Sequence, residues 1–469
     1  MNKGLSKKNF SAIVIIGFIF LTTFPILNAE MTDKNIIFSK NSFNKDGNSE
    51  YDLLIISPNK FSSILNPLVE HKIRNNVPTI LVSLEEVYEQ ENLLGRDQPE
   101  KIKLFIKDSI EQYGIKYVLL VGYFRIIPVR YVYNSPHDEE RFISELYYAD
   151  IYDKNGLFSS WDTNNDGIFG EWDGTEAQDK DIDLYPDVYV GRLACMNQFE
   201  VETMVDKIIT YETSTYGSSW FNHIVVCAGD TYPDGQYPFP TPDFEGEENA
   251  KTVLSYMPGF SNTSLFTSDG SFAGPSDVIN AIDQGCGFLF FDGHANPMVW
   301  SSHPPNNRTW INGLRLNDMT HLSNKKMLPV CVVGGCHNLQ FDVHLGKLKD
   351  DPWYYYTWIP ECWGWKLTRK IDGGSIATIG CSGLGMTKED KSSLEGASDY
   401  LDSQFFYEYG INGTDILGET WGNAISNYLE EYPIDWNTKS SWDYAYDAKT
   451  VQQWVLLGDP SLKIGGYSN

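Results

Sequence analysis

The residues best suited to chemistry in this sequence stand at the ends of short apolar runs. Four runs close on Asp230 (NHIVVCAGD, 222–230), on Asp292-Gly293-His294 (CGFLFFDGH, 286–294), on Gly334-Gly335-Cys336 (LPVCVVGGC, 328–336) and on Cys381-Ser382-Gly383 (GSIATIGCSG, 374–383). In open α/β sheets ligands bind beyond the carboxyl ends of strands, so these termini are where a site is expected. A thiol of ordinary pKa, about 8.5, is only a few per cent thiolate at neutral pH and needs a base. Neighbouring strands lie about 4.8 Å apart, so His294 and Cys336 could meet if their strands are adjacent and parallel. The stretch between them is long enough for the crossover that parallel neighbours require. Glycines beside both residues permit tight turns that present backbone N–H groups to an oxyanion. His337 adjoins Cys336, but successive side chains leave a strand in opposite directions. A buried, inert His and Cys would leave the same pattern, so residue types alone do not decide for catalysis.

The elements that must position these residues follow from periodicity. Strand-length apolar runs at 51–57, 77–83 and 115–122 alternate with helical patterns near 60–75 and 99–113, and a second series comprises the four runs above. Continuous apolar strands separated by helices predict α/β architecture with two parallel-sheet subdomains, each sheet buried on both faces. The expected organisation is a signal peptide or N-terminal anchor over 1–29, a polar tether over 30–50, an N-terminal α/β subdomain over 51–215 and a catalytic α/β subdomain over 216–469. The boundary falls in the polar segment 211–219, after a helix near 197–211.

Composition narrows the function. The 469 residues exceed the length of one ordinary domain, about 100–200 residues. Thirty-six Lys and Arg against 63 Asp and Glu leave a net charge of −27, the wrong sign for holding phosphates, so no nucleic-acid partner is expected. Seven cysteines are too few for a disulfide scaffold, and their odd number leaves at least one unpaired. Cys227, Cys286, Cys331 and Cys381 lie in or beside apolar runs and read as small buried hydrophobes. Lys3, Lys7 and Lys8 precede an uncharged run, 10–27, that ends near Ala29, the order of a signal peptide. A secreted or extracellular protein is expected. Leu27 is not the small residue a cut after Ala29 favours, so an uncleaved anchor, and with it membrane attachment, stays open.

The segment DTNNDGIFGEWD, 162–173, has the spacing of a Ca²⁺ loop. Asp162, Asn164 and Asp166 fall at ligand positions 1, 3 and 5, Gly167 at the turn, the Ile168 carbonyl at 7 and Asp173 at 12. Asp173 is shorter than the usual Glu there, with Glu171 as a substitute. A structural rather than catalytic ion is expected, and an ordinary polar turn is the alternative.

Five segments together resemble the gingipain family of cysteine peptidases, whose catalytic domains share the caspase-like fold. They are YDLLIIS (51–57), YPDVYVGRLA (185–194), GFLFFDGHANPMVW (287–300), LPVCVVGGCHNLQFD (328–342) and WVLLGDPSL (454–462). The resemblance implies a caspase-like second subdomain with Cys336 as nucleophile and His294 as general base and acid. It implies Asp230 as the acid that orients His294, and the N–H groups of Cys336 and Ala295 as an oxyanion hole, although the family usually has Gly where Ala295 stands. It implies an exported endopeptidase acting on protein or peptide substrates and stabilised by calcium. Asp243 or Glu245 would favour a basic residue before the scissile bond. Two rivals stand beside this reading: a non-catalytic cell-surface protein binding glycan or peptide on the same fold, and a transpeptidase using the same dyad.

Overall fold

The apolar runs form two parallel sheets in the computed structural model, which describes residues 50–468 except 91–94, 135–138, 140, 174–175, 181, 234–243, 345–358, 388–395 and 438–441. The expected export segment and tether up to residue 49 therefore lie outside the described residues. In the first half, β1 (Leu53–Ser57), β2 (Thr79–Ser83) and β3 (Tyr117–Val121) are followed by a short antiparallel hairpin, β4 (Arg130–Val132) with β5 (Phe142–Ser144), and then by β6 (Tyr189–Leu193). The sheet order is β2-β1-β3-β6, parallel throughout. In the second half, β7 (His223–Ala228), β8 (Ser261–Phe266) and β9 (Phe288–Asp292) precede a three-stranded antiparallel unit of β10 (His294–Asn296), β11 (Val299–Ser302) and β12 (Ile311–Arg315). The strands β13 (Val330–Val333), β14 (Ala377–Cys381) and β15 (Trp454–Leu457) complete a sheet of order β15-β14-β13-β9-β7-β8, parallel except for β15.

Every residue of β1, β3, β9, β13 and β14 is buried, which is why these strands read as unbroken apolar runs. The anticipated helices span Ser62–Arg74, Gln98–Tyr113 and Gln198–Ser214. Their ends follow local chemistry. The Asp97 and Asn197 side chains accept N–H groups of the first turn, and Gly114, at φ 72°, ends the second helix.

Of the strands in the two larger sheets, β6, β8 and β15 escaped the periodicity reading. The edge strand β8, SNTSLF, is mostly polar and half exposed, and β15 is a four-residue antiparallel addition. The latter has an architectural role, because Gly458 N–H after β15 donates to the Arg192 carbonyl in β6 at 3.0 Å, joining the edges of the two sheets. Beside that seam Lys72, fully buried, lies 2.8 Å from both Glu212 and Asp459, and His71 lies 2.8 Å from Glu212. Residues Asn48–Asn469 accordingly form one compact unit.

Candidate active site

The strands that end in His294 and Cys336 are direct neighbours. β13 pairs with β9 in parallel register, Val330 opposite Phe288 and Val333 opposite Phe291, so both chains leave the sheet at the same level. Beyond β13, Gly335 takes φ 124° and closes directly on the chain after His294: a Cβ there would lie 2.8 Å from both the N and the Cβ of Ala295. Only glycine tolerates that dihedral and that approach. The nucleophile turn is then pinned from several sides. Asn338 donates to the Val333 and Gly335 carbonyls, His337 N–H to Gly383 O at 2.7 Å, and Leu339 N–H to Cys381 O at 2.8 Å. His337 itself sits at φ 55°, a strained conformation for a non-glycine residue, held by these contacts.

All seven cysteines are unpaired, and six are buried; Cys336 alone is partly accessible. Burial pushes its thiol up to about 11, opposed by the Gly385 N–H that donates towards Sγ. The charges facing it are Glu139, which raises the value, and Lys449, which lowers it. Cys381 is its neighbour on β14. Glu139 and Lys449 form a buried ion pair, and Glu139 also accepts the Leu384 N–H at 3.0 Å and lies 3.5 Å from His337 Nε2.

The His294 imidazole is half buried, and burial lowers its pKa from the ordinary value, opposed by the Thr231 carbonyl and the Glu245 carboxylate. Its Nε2 lies 2.7 Å from the Thr231 carbonyl oxygen. A carbonyl only accepts, so Nε2 carries the proton and Nδ1 of the neutral ring keeps a lone pair to receive one. The hydrogen bond that fixes the tautomer thus comes from the backbone of the residue after Asp230. The Asp230 carboxylate accepts the Asn306 N–H at 2.7 Å, and its own N–H donates to His303 O.

Acidic groups gather beneath the nucleophile turn. Asn249 Nδ2 donates to Asp292 at 2.7 Å and to Asp402 at 3.1 Å. A Cβ on Gly334 would lie 3.2 Å from Asp402 Oδ2 and 3.6 Å from Asp292 Oδ1. Burial raises Asp292 to about 6, and burial with the charges of Asp292 and Asp399 raises Asp402 well above the carboxylate range. Asp292, Asp399 and Asp402 offer oxygens within 4.8 Å of one another, a set that could hold a metal ion. Of the expected substrate-selecting pair, Asp243 lies outside the described residues, whereas Glu245 is buried with its Oε2 3.4 Å from the Tyr232 N–H.

The 162–173 loop forms a compact turn. Asp162 accepts the Asp166 and Gly167 N–H groups and pairs with Arg96 at 2.7 Å, and Asp166 accepts the Ile168 N–H. Asp173 accepts Glu176 N–H and Gln178 Nε2. Glu171 faces the loop: burial and the charges of Asp166, Asp179 and Asp173 raise its pKa, and Asn164 hydrogen-bonds to it.

The chain has counterparts among known proteins. Residues 46–465 match the model of peptidase family C25. The chain belongs to that family. It is similar to Gingipain R2 of Porphyromonas gingivalis (strain ATCC BAA-308 / W83), 20% identical over 421 residues, which cover 88% of this chain and 46% of the relative. It is also similar to Gingipain R1 of Porphyromonas gingivalis, 19% identical over 421 residues, covering 34% of that protein. The chain spans less than half the length of these curated relatives. The crystal structure of the Arg-specific cysteine proteinase gingipain R (RGPB) superposes with a TM-score of 0.59 at 17% identity, covering 89% of this chain and 79% of that one. The complex of Porphyromonas gingivalis RgpB pro- and mature domains gives the same TM-score over 88% of this chain and 79% of that chain. At this identity the likeness establishes the shared α/β fold.

Several groups around the candidate site carry no local sequence signal. The Thr231 carbonyl and Gly385 N–H are backbone atoms that any residue supplies. Glu139 and Lys449 are 310 positions apart and meet only through the fold. For Asp292, its place before Gly293-His294 was a usable hint.

Proposed function

We propose that this C25 chain is an exported cysteine endopeptidase in which Cys336 and His294 form the catalytic dyad. The observation that carries this reading is the closure of the Gly335 turn onto Ala295, which brings the residue before the one partly accessible cysteine against the residue after His294, whose Nε2 donates to a carbonyl and leaves Nδ1 unprotonated. Nδ1 takes the thiol proton as Sγ attacks the peptide carbonyl, and the resulting imidazolium returns it to the leaving amine. Water then attacks the thioester, regenerating the thiol and releasing the acid. The Cys336 and Ala295 N–H groups are the proposed oxyanion donors, and Asp230 supports the imidazole through the position of Thr231. The N-terminal Lys-rich start and apolar run support export.

The resting thiol is neutral in this account, so its reactivity must climb with pH. Alkylation of Cys336 by iodoacetamide, followed by mass spectrometry, is expected to be slow at neutral pH and still rising at about pH 10. The raised thiol, with Glu139 opposing Lys449 beside it, predicts this course. A rate that levels off below about pH 7 would instead reveal a preformed thiolate–imidazolium pair.

We propose a preference for a basic residue before the scissile bond, with Asp402 and Asp292 joined to Glu245 as the receiving carboxylates and Asp243, outside the described residues, retained as a candidate. Asp402 Oδ2 has no hydrogen-bond partner among the described residues, and it lies close beneath Gly334, two positions before the nucleophile, where a Cβ would stand 3.2 Å from it. A guanidinium or ammonium group would satisfy it. A positional-scanning fluorogenic library is expected to favour Arg or Lys there, and Asp402→Asn to weaken that selectivity about tenfold or more. Selection of an apolar or acidic residue would remove these carboxylates from substrate recognition.

For the 162–173 loop we propose structural Ca²⁺, with Asp162, Asn164, Asp166 and the Ile168 carbonyl as ligands and Glu171 in place of Asp173. The crowding of Glu171 by three carboxylates is what a divalent cation would relieve. An ion that binds the folded loop alone stabilises by mass action, about 2.7 kcal/mol at a hundred times Kd. The melting temperature should therefore fall by a few degrees in EGTA, and Asp166→Asn should abolish the response. A wild-type melting curve indifferent to Ca²⁺ contradicts the loop assignment.

A further inference from the structure

We propose that Trp310 forms the wall of a subsite for a large apolar or aromatic side chain on the residue that follows the scissile bond. The proposal rests on the cysteine-peptidase reading and adds the specificity of its leaving-group side.

Trp310 is half exposed, the only tryptophan among the large apolar side chains at the surface of the described residues, and it stands at the site. Its ring lies 5.2 Å from that of His294 at 86° and is stacked on buried His303 at 3.8 Å. Tyr232 meets His294 at 5.6 Å and 89°, and its hydroxyl is tied to Thr387 at 2.9 Å. The imidazole therefore projects between aromatic walls rather than into open solvent.

The strand order says which half of a substrate Trp310 would meet. Across the sheet the sequence of strands is β13, β9, β7, so Cys336 lies on one side of His294. The segment that leads to Trp310 is fastened on the other side, to the end of β7. Asp230 N–H donates to His303 O at 3.0 Å, the Asp230 carboxylate takes the Asn306 N–H at 2.7 Å, and Thr267 donates to His303 O at 2.9 Å. A peptide acylating Cys336 keeps its acyl half on the cysteine side. Its amine half, protonated by His294, passes towards β7 and under Trp310. Those same bonds hold His303, on which the indole is stacked, before substrate arrives, so binding orders little that is not already ordered. A flat, half-wetted indole backed by an imidazole gains most from a partner that is large and apolar, above all another aromatic ring.

The test uses internally quenched peptides identical except for the residue after the cut, glycine or phenylalanine, with wild type, Trp310→Ala and Trp310→Phe. The readout is the ratio of kcat/KM for phenylalanine over glycine within each enzyme, which cancels differences in the amount of folded protein. Wild type is expected to favour phenylalanine, Trp310→Ala to lower the ratio about tenfold, and Trp310→Phe to retain most of it. A ratio unchanged in Trp310→Ala, or lost equally in Trp310→Phe, overturns the subsite. Failure of the underlying reading is recognised separately, by hydrolysis that survives in Cys336→Ala with either peptide.

Discussion

Replacing Cys336 with alanine should lower peptide hydrolysis by at least about 10⁴-fold with the fold intact, because the side chain is small, partly accessible and not part of the apolar core. His294→Ala should be nearly as damaging. Without it the thiol, held up near 11, has no base, and the departing amine has no acid. The two losses should not add: once either partner is absent the other has nothing to exchange its proton with, so the double variant should resemble each single one. Circular dichroism and melting curves on the same preparations separate a lost dyad from a lost fold. Residual hydrolysis within about tenfold of wild type in Cys336→Ala would place the chemistry elsewhere.

The second large effect is one of stability. Glu212→Ala should destabilise the protein by about 3–5 kcal/mol, since it removes one of two carboxylates from a fully buried lysine. It also strips His71 of its partner and the Lys463 N–H of its acceptor. Burial alone would raise the Glu212 pKa, but the Lys72 charge and the hydrogen bonds from His71 and Lys72 bring it below the ordinary value of 4.5. A folded-state pKa below the unfolded one stabilises the protein above the unfolded value and ceases to do so as pH falls through the folded one. The difference between wild type and variant in urea unfolding should accordingly be full at neutral pH and shrink below about pH 4. A loss under about 1 kcal/mol at neutral pH, the scale of an exposed pair, would show that water reaches the seam.

Much of the site's position was legible because buried parallel strands write themselves as unbroken apolar runs, and such runs must end at a sheet edge where function collects. The runs ending in His294 and Cys336 carried that signal, and their adjacency followed once the strands were parallel neighbours. What was not legible has physical reasons. β8 is a polar edge strand and reads as loop. The helix Ala397–Gly410, which supplies Asp402, is buried around most of its circumference and shows little amphipathic pattern. Trp310, Glu139 and Lys449 enter the site from distant segments, and a backbone carbonyl such as that of Thr231 has no letter in the sequence. At the end of the 162–173 loop, spacing pointed to Asp173 with Glu171 as substitute, and only the folded chain shows that Asn164 hydrogen-bonds to Glu171.

The measurement that bears most directly on the dyad is covalent trapping with a peptide-based, thiol-directed acylating probe, read by intact mass and peptide mapping. One adduct per molecule on Cys336 is predicted for wild type, with none on Cys336→Ala and strongly slowed labelling of His294→Ala. Labelling of a different residue, or equal labelling of Cys336→Ala, would contradict the account.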